Sequence, residues 1–192
     1  MKVIQLHQKE KQLIELAVEN NRQAQQQIYA KFSPKMLSVC RQYLKDIHHA
    51  EDVMITGFMK VFTNLKNFEH KGSFEGWVRR IMVYECIDFL RVKKNNFNHQ
   101  DIEDVTFSES ESGYEMEEFS VDDIQNLIDN LPDGYKMVFN LYAVEGYKHQ
   151  EIAQMLKISE GTSKSQLSHA RKVLQLQITE LKNKQNAVQQ NR

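Results

Sequence analysis

Glycine and proline are scarce in this chain, at 7 and 2 of 192 residues. So few turn-forming residues exclude the many tight reversals of a β-rich fold and point to a mainly helical build of one ordinary domain or two small ones. Cysteine is equally rare. Cys40 and Cys86 stand alone within apolar-periodic stretches, which argues against a disulfide framework or a thiolate metal site and leaves buried free thiols. The 7 histidines show no ligand spacing, and the adjacent His48 and His49 fall on different faces of a helix. No apolar run approaches the length of a membrane span, and the opening MKVIQLHQKEKQLIELAVEN reads as a charged amphipathic helix rather than a signal peptide. A cytoplasmic location is therefore expected. A phosphate-cradling glycine loop, a metal-ligand cluster and a nucleophile beside a base are all missing as well, so the expectation is a protein that is not an enzyme, with no catalytic residue, metal, cofactor or small-molecule substrate.

What the chain does have is charge, and it is segregated. The formal net charge is -1, yet residues 1–94 carry 16 basic against 10 acidic side chains, residues 95–135 carry 0 against 12, and residues 136–192 carry 9 against 4. Two basic modules thus flank an acidic connector rich in Asn, Ser and Glu, with little periodicity. The expected organisation is a helical domain over 1–95, an acidic flexible linker over 96–120, a second helical domain over 121–182 and a polar tail over 183–192. The connector is either a solvated spacer or a segment that lies in a partner's basic channel or shields the basic modules from DNA.

The segment from His149 to Leu174 predicts two short helices joined by a tight turn. Ile152, Ala153 and Leu156 lie on one face of the first, and Leu167, Ala170 and Leu174 follow at steps of three and four on the second. Ser159 is placed to cap the second helix, and Glu160 lies in its first turn, where the helix dipole favours a carboxylate. Lys164, Ser165, Ser168, His169 and Lys172 then occupy the opposite face, with Arg171 on its flank. All of these can hydrogen-bond to base edges or phosphates. This is either a DNA-reading helix-turn-helix or a helical hairpin with a solvated polar face.

The N-terminal module reads as successive helices. One carries Leu13, Leu16, Ala17, Ala24, Ile28, Tyr29 and Phe32; a second begins at Pro34 and carries Leu37, Cys40 and Leu44; a third runs from Ala50 to Leu65. A loop containing His70, Lys71, Gly72 and Ser73 leads to a fourth with Phe74, Trp77, Ile81, Ile87 and Leu90. On that helix Arg79, Arg80, Arg91, Lys93 and Lys94 interleave with Trp77, Tyr84 and Phe89, a mixture suited to single-stranded nucleic acid because phosphates need cations and unstacked bases need ring faces. Taken singly, Phe74, Trp77 and Phe89 also suit the core of so small a module.

Four strings carry a family resemblance: AEDVMITGFMKVF at 50–62, FEGWVRRIMVYECIDFLR at 74–91, LPDGYKMVFNLYAVEGYKHQEIAQML at 131–156 and ISEGTSKSQLSHARKVL at 158–174. In this order, with an acidic stretch between the second and third, they resemble a bacterial extracytoplasmic-function (group 4) sigma factor of the sigma-70 family, from about residue 10 to 176. The resemblance implies an all-α fold with a sigma region 2-like bundle and a sigma region 4-like helix-turn-helix. It also implies promoter-specific transcription initiation with core RNA polymerase as partner, through the beta-prime clamp helices and the beta flap, and with promoter DNA. Glu51, Asp52, Phe58 and Phe62 would contact the polymerase. Phe68, Lys71, Gly72, Ser73, Trp77, Arg80, Tyr84 and Arg91 would engage the minus-10 element and promote strand opening by capturing a flipped base, whose unstacking costs a few kcal/mol. Thr162, Lys164, Ser165, Ser168, His169, Arg171 and Lys172 would read the minus-35 element. An anti-sigma factor, often membrane-bound in this family, is the implied regulator.

The sequence departs from the family pattern at several positions. Ile55 and Thr56 stand where Gln and Glu are common, Tyr84 replaces an Asn, Gln166 and His169 stand where Arg is frequent, and Lys157 replaces the turn glycine, at a cost of roughly 1 kcal/mol for a left-handed conformation. A different reading is a dimeric helix-turn-helix repressor or activator that binds a palindrome without polymerase. It leaves the basic and aromatic fourth helix without a purpose.

Overall fold

The computed structural model describes the backbone of residues 2–96 and 119–190 and side chains within 9–92 and 119–183. Those residues form helices and no strand. They belong to two units that divide between residues 96 and 97, so the all-α, two-cluster architecture expected from the sequence is present. The acidic linker expected over 96–120 falls almost wholly outside the described residues.

The first unit contains α1 (Lys2–Val18), α2 (Arg22–Tyr43), α3 (Ile47–Asn64), a 3-10 turn at Leu65–Asn67 and α4 (Phe74–Asn96). Two boundaries differ from the sequence reading. The stripe from Leu13 to Phe32 is split, because Asn20 takes a left-handed conformation with φ 62° and the Asn21 side chain then accepts a hydrogen bond from the Ala24 N–H at 3.0 Å, capping α2. Pro34 begins no helix and lies inside α2. The buried stripe Ile28, Phe32, Met36, Val39 and Cys40 runs straight past it. Pro34 itself is exposed, as is Ala30, whose carbonyl loses its partner and can be hydrated. Packing of the continuous stripe outweighs a local penalty of about 3 kcal/mol.

Asp46 starts α3 by accepting from the backbone N–H groups of His48 at 2.8 Å and His49 at 3.1 Å. The bond from the His49 N–H holds its carboxyl below the ordinary aspartate value. The cap therefore persists at neutral pH and is lost as pH falls through that lowered value.

The core lies where α2, α3 and α4 meet. Val78, Met82, Val83 and Cys86 of α4 are fully enclosed with Ile28, Met36 and Cys40 of α2 and Val61 of α3. Both cysteines are buried free thiols. At the crossing of α3 and α4, a Cβ on Gly57 would stand 2.3 Å from Sδ and 2.9 Å from Cε of Met82. An aromatic cluster closes one end: Phe74 packs edge-on against Phe32 at 5.5 Å and Phe68 at 5.2 Å, and Trp77 stacks on Phe74 at 5.8 Å. Gly57→Val is expected to destabilise the protein by about 1–3 kcal/mol. In urea unfolding, the Gly57→Val/Met82→Ala double variant should lose less than the sum of the two single losses, since the shorter side chain leaves room for the branch.

The second unit contains α5 (Val121–Asp129), α6 (Asp133–Phe139), a π-helical segment at Asn140–Val144, α7 (His149–Leu156) and α8 (Glu160–Gln190). Ser120 and Asp123 cap α5 reciprocally: the Asp123 N–H donates to Ser120 Oγ at 3.1 Å and the Ser120 N–H to the Asp123 carboxylate at 3.2 Å. Helix α8 continues to Gln190 through the stretch expected to be a separate polar tail. Leu131, Val138, Leu141, Ile152, Leu167 and Ala170 form the core. Against it Lys136 Nζ reaches Asp129 Oδ1 at 3.4 Å, with side chains 5% and 1% exposed, and Gln125 donates to the same oxygen at 3.3 Å. Removal of one partner strands a buried charge, so Asp129→Ala should cost about 3–5 kcal/mol, whereas Asp129→Leu combined with Lys136→Met should be near neutral. Chemical unfolding of the three proteins checks this.

Candidate nucleic-acid interface

In the second unit the geometry of the helix pair is set at the turn. Glu151 reaches back to accept from the Lys148 N–H at 2.8 Å, starting α7. Lys157 ends it in the left-handed conformation, φ 55° and ψ 45°, and the Ile158 N–H returns to the Ala153 carbonyl at 3.1 Å. Ser159 caps α8, its Oγ accepting from the Thr162 N–H at 2.9 Å. Ser163, Leu167 and Ala170 then bury one stripe of α8, and Leu174, expected with them, is only half-buried. Lys157 is the one residue of this turn that pays a steric cost, so Lys157→Gly should stabilise the unit by up to about 1 kcal/mol, read as a raised thermal midpoint.

The minus-35 candidates separate into two groups. Lys164, Ser165, Ser168 and Arg171 are exposed and Lys172 is half-buried, all on the side of α8 away from its core stripe or on the flank of that side. Lys164 Nζ holds Glu160 Oε1 at 2.7 Å, and this hydrogen bond keeps the Glu160 carboxyl below its ordinary value. His169 and Thr162 are half-buried and already engaged. The His169 ring stacks on Tyr135 of α6 at 5.5 Å and 14°, because a residue 180° from Glu160 around the helix meets α6. Thr162 Oγ1 lies 2.8 Å from Ser159 Oγ, so its hydroxyl belongs to the cap.

In the first unit, the loop before α4 turns at His70 and Gly72, with φ of 57° and 106°. It is tied to α4 by Ser73, whose Oγ accepts from the Gly76 N–H at 3.0 Å. Lys71, Gly72 and Ser73 are exposed, and Lys71 pairs with Glu69 at 2.7 Å. Trp77, Arg80, Tyr84 and Arg91 follow at steps of three, four and seven, which put them on one face of α4. The Arg80 guanidinium lies 5.8 Å from the Tyr84 ring centre, and Arg91 bonds Asp88 at 2.6 Å. Trp77 and Tyr84 are half-buried, leaving part of each ring accessible. Phe68, expected among the minus-10 residues, is buried: at 9% exposure it belongs to the aromatic core, held 5.5 Å from Trp77.

Phe58 is buried. It is 2% exposed, enclosed between Tyr29 of α2 at 4.8 Å and Phe62 at 6.1 Å. Glu51 and Asp52 are exposed and Phe62 is half-buried. The apolar surface on this helix is instead Ile55, 49% exposed, and Met59, 66% exposed. Sequence reading treated Ile55 only as a departure and passed over Met59. The signal was available in the steps 52, 55, 59 and 62, a second stripe beside the core stripe.

Among the described residues no group of His, Cys, Asp or Glu could hold a metal ion, and no helix is long and apolar enough to cross a membrane. The site is a set of polar, basic and aromatic surfaces on two helical units. Family models for sigma-70 region 2 and sigma-70 region 4 match residues 28–96 and 122–174. The chain is 28% identical over 163 residues to the extracytoplasmic-function sigma factor SigW of Bacillus subtilis, covering 78% of this chain and 86% of that one. It is 24% identical over 178 residues to the sigma-H factor of Pseudomonas aeruginosa, covering 87% and 92%. Its fold is similar to that of a Bartonella quintana sigma factor, RpoE, solved in complex with the anti-sigma factor NepR, with TM-score 0.53, 20% identity and coverage of 80% and 96%. The chain belongs to the sigma-70 family, and within it to the extracytoplasmic-function (group 4) sigma factors. It is a non-enzymatic transcription factor whose function is to bind core RNA polymerase and promoter DNA.

Proposed function

We propose a division of labour among three surfaces. The exposed face of α8, Lys164, Ser165, Ser168, Arg171 and Lys172, reads the minus-35 element from the major groove. The loop Lys71, Gly72 and Ser73 with Trp77, Arg80, Tyr84 and Arg91 of α4 engages the minus-10 element and assists strand opening. Glu51 and Asp52, with Ile55, Met59 and Phe62, dock on the clamp helices of core RNA polymerase, and the beta flap is a further polymerase contact. The observation that carries this reading is the exposure pattern of α8: the side chains that can meet a base edge or phosphate face outward while Ser163, Leu167 and Ala170 face the core. A cytoplasmic location and control by an anti-sigma factor complete the reading.

The test is run-off transcription with purified core polymerase on genomic fragments of the source organism, with and without the chain. Transcripts that depend on the chain, sharing upstream elements, support the proposal; none, combined with duplex binding by the chain alone, overturns it. Lys164→Ala should weaken minus-35 recognition by about five- to a hundredfold if the ammonium reads a base while core binding is retained. Asp52→Arg and Met59→Asp should do the reverse, losing association with core in a pull-down and leaving α8 intact.

A further inference from the structure

Arg171 is not alone on the flank of α8. Its guanidinium lies 5.7 Å from the centre of the Tyr142 ring, and the same ring is stacked with His149 at 4.7 Å and 22°. His149 is fixed in turn from below, its Nδ1 2.9 Å from Ser163 Oγ, on a serine that is fully enclosed in the core. A ring anchored this way has little freedom to tilt, and it transmits that order to Tyr142 and the cation.

Tyr142 owes its position to a backbone irregularity. It stands in the π-helical segment Asn140–Val144, where the Glu145 N–H bonds the Asn140 carbonyl at 3.0 Å across five residues. The extra residue turns the chain so that Leu141 is fully enclosed while Tyr142 stays 37% exposed beside α7 and α8. Single π turns of this kind cost regular hydrogen bonding and often mark functional positions. Here the turn puts an aromatic ring between the first residue of α7 and the DNA-facing helix.

We propose that Tyr142 and His149 are positioning residues for promoter recognition: their stack holds the Arg171 guanidinium in a fixed direction at the edge of the α8 reading face, ready to meet a guanine edge or a phosphate. Arginine carries large rotamer entropy, and a planar cation stacked on a ring surrenders much of it before DNA arrives. The proposal rests on the reading of α8 as the minus-35 helix.

The test uses full-length chain assembled with core polymerase, and measures promoter binding and open-complex formation for Tyr142→Phe, Tyr142→Leu, Arg171→Ala and the Tyr142→Leu/Arg171→Ala pair, with the thermal midpoint of each chain alongside. Tyr142→Phe keeps the ring and should bind as the parent does. Tyr142→Leu should weaken promoter binding by about three- to tenfold, with the midpoint and core affinity little changed. Arg171→Ala should lower the salt dependence of binding if the contact is to phosphate. The double variant should bind no worse than Arg171→Ala, because Tyr142 acts through that arginine. Multiplying losses in the double variant, or a Tyr142→Leu loss that tracks a fallen midpoint, would show a merely structural tyrosine and overturn the proposal. If Arg171→Ala and Lys164→Ala are both without effect, the reading of α8 itself has failed, and this inference falls with it.

Discussion

A helix in a small bundle must bury one face and can offer only what remains, and the 100° step between residues decides which side chains go to each. Every functional surface of this protein follows from that constraint. In α3 the step sends Val53, Met54, Gly57, Phe58 and Val61 inward, to a crossing so close that a Cβ on Gly57 would have to displace the end of the Met82 side chain. What is left outside is the column through Asp52, Ile55 and Met59. In α8 it sends Ser163, Leu167 and Ala170 inward and leaves Lys164, Ser165, Ser168 and Arg171 outside. The core contacts are the larger energy in both helices, since each buried apolar side chain is worth about 1.5–3 kcal/mol and each exposed ion pair at most about 1. The interfaces are therefore what core packing permits.

Aromatic residues show the same rule acting on chemistry. Phe68, Phe74 and Trp77 are all candidates for base stacking by residue type. Phe74 and Phe68 are taken by the core, Phe74 packed edge-on against both Phe32 and Phe68, and Trp77, one turn further along α4, keeps part of its ring accessible. The buried rings still matter to the surface. They fix the base of the loop that carries His70 and Gly72 in left-handed conformations, so the exposed Lys71 and Ser73 stand on a packed aromatic floor.

Much of this was legible in the sequence. The stripes of α3, α4, α7 and α8, the Ser159 cap and the class of protein could all be read from spacing and motif order. The degree of burial was less legible. Periodicity locates an apolar stripe, but how far a residue in or beside it is covered depends on the packing around it: Phe58 is enclosed with Tyr29 of α2, while Met59 is 66% exposed. His169 was placed on the open face because nothing local tells that Tyr135 meets it. The break between α1 and α2 lacks glycine and proline and rests on Asn20 and Asn21, residues that adopt left-handed and capping conformations without announcing them. Pro34 carries the strongest local signal in the N-terminal module, and tertiary packing overrode it.

The electrostatics bear on why such a chain works with a polymerase. Lys71, Arg91 and Lys164 each already hold a neighbouring carboxylate, Glu69, Asp88 and Glu160 respectively. Contact with DNA exchanges these partners for phosphates or bases, and the displaced carboxylates stay close to a polyanion. For Glu160 the exchange also removes the Lys164 hydrogen bond that holds its carboxyl below the ordinary value. With a net charge of -1, the chain has little long-range attraction for DNA to compensate. On the proposed reading each surface alone binds weakly, and appreciable affinity comes when both proposed DNA-facing surfaces engage one promoter at once, where the second contact forms at the high effective concentration set by the first. On the proposed division of labour, a polymerase that holds the two units over the same DNA supplies that condition, so the charge pattern of the chain is in keeping with dependence on core enzyme.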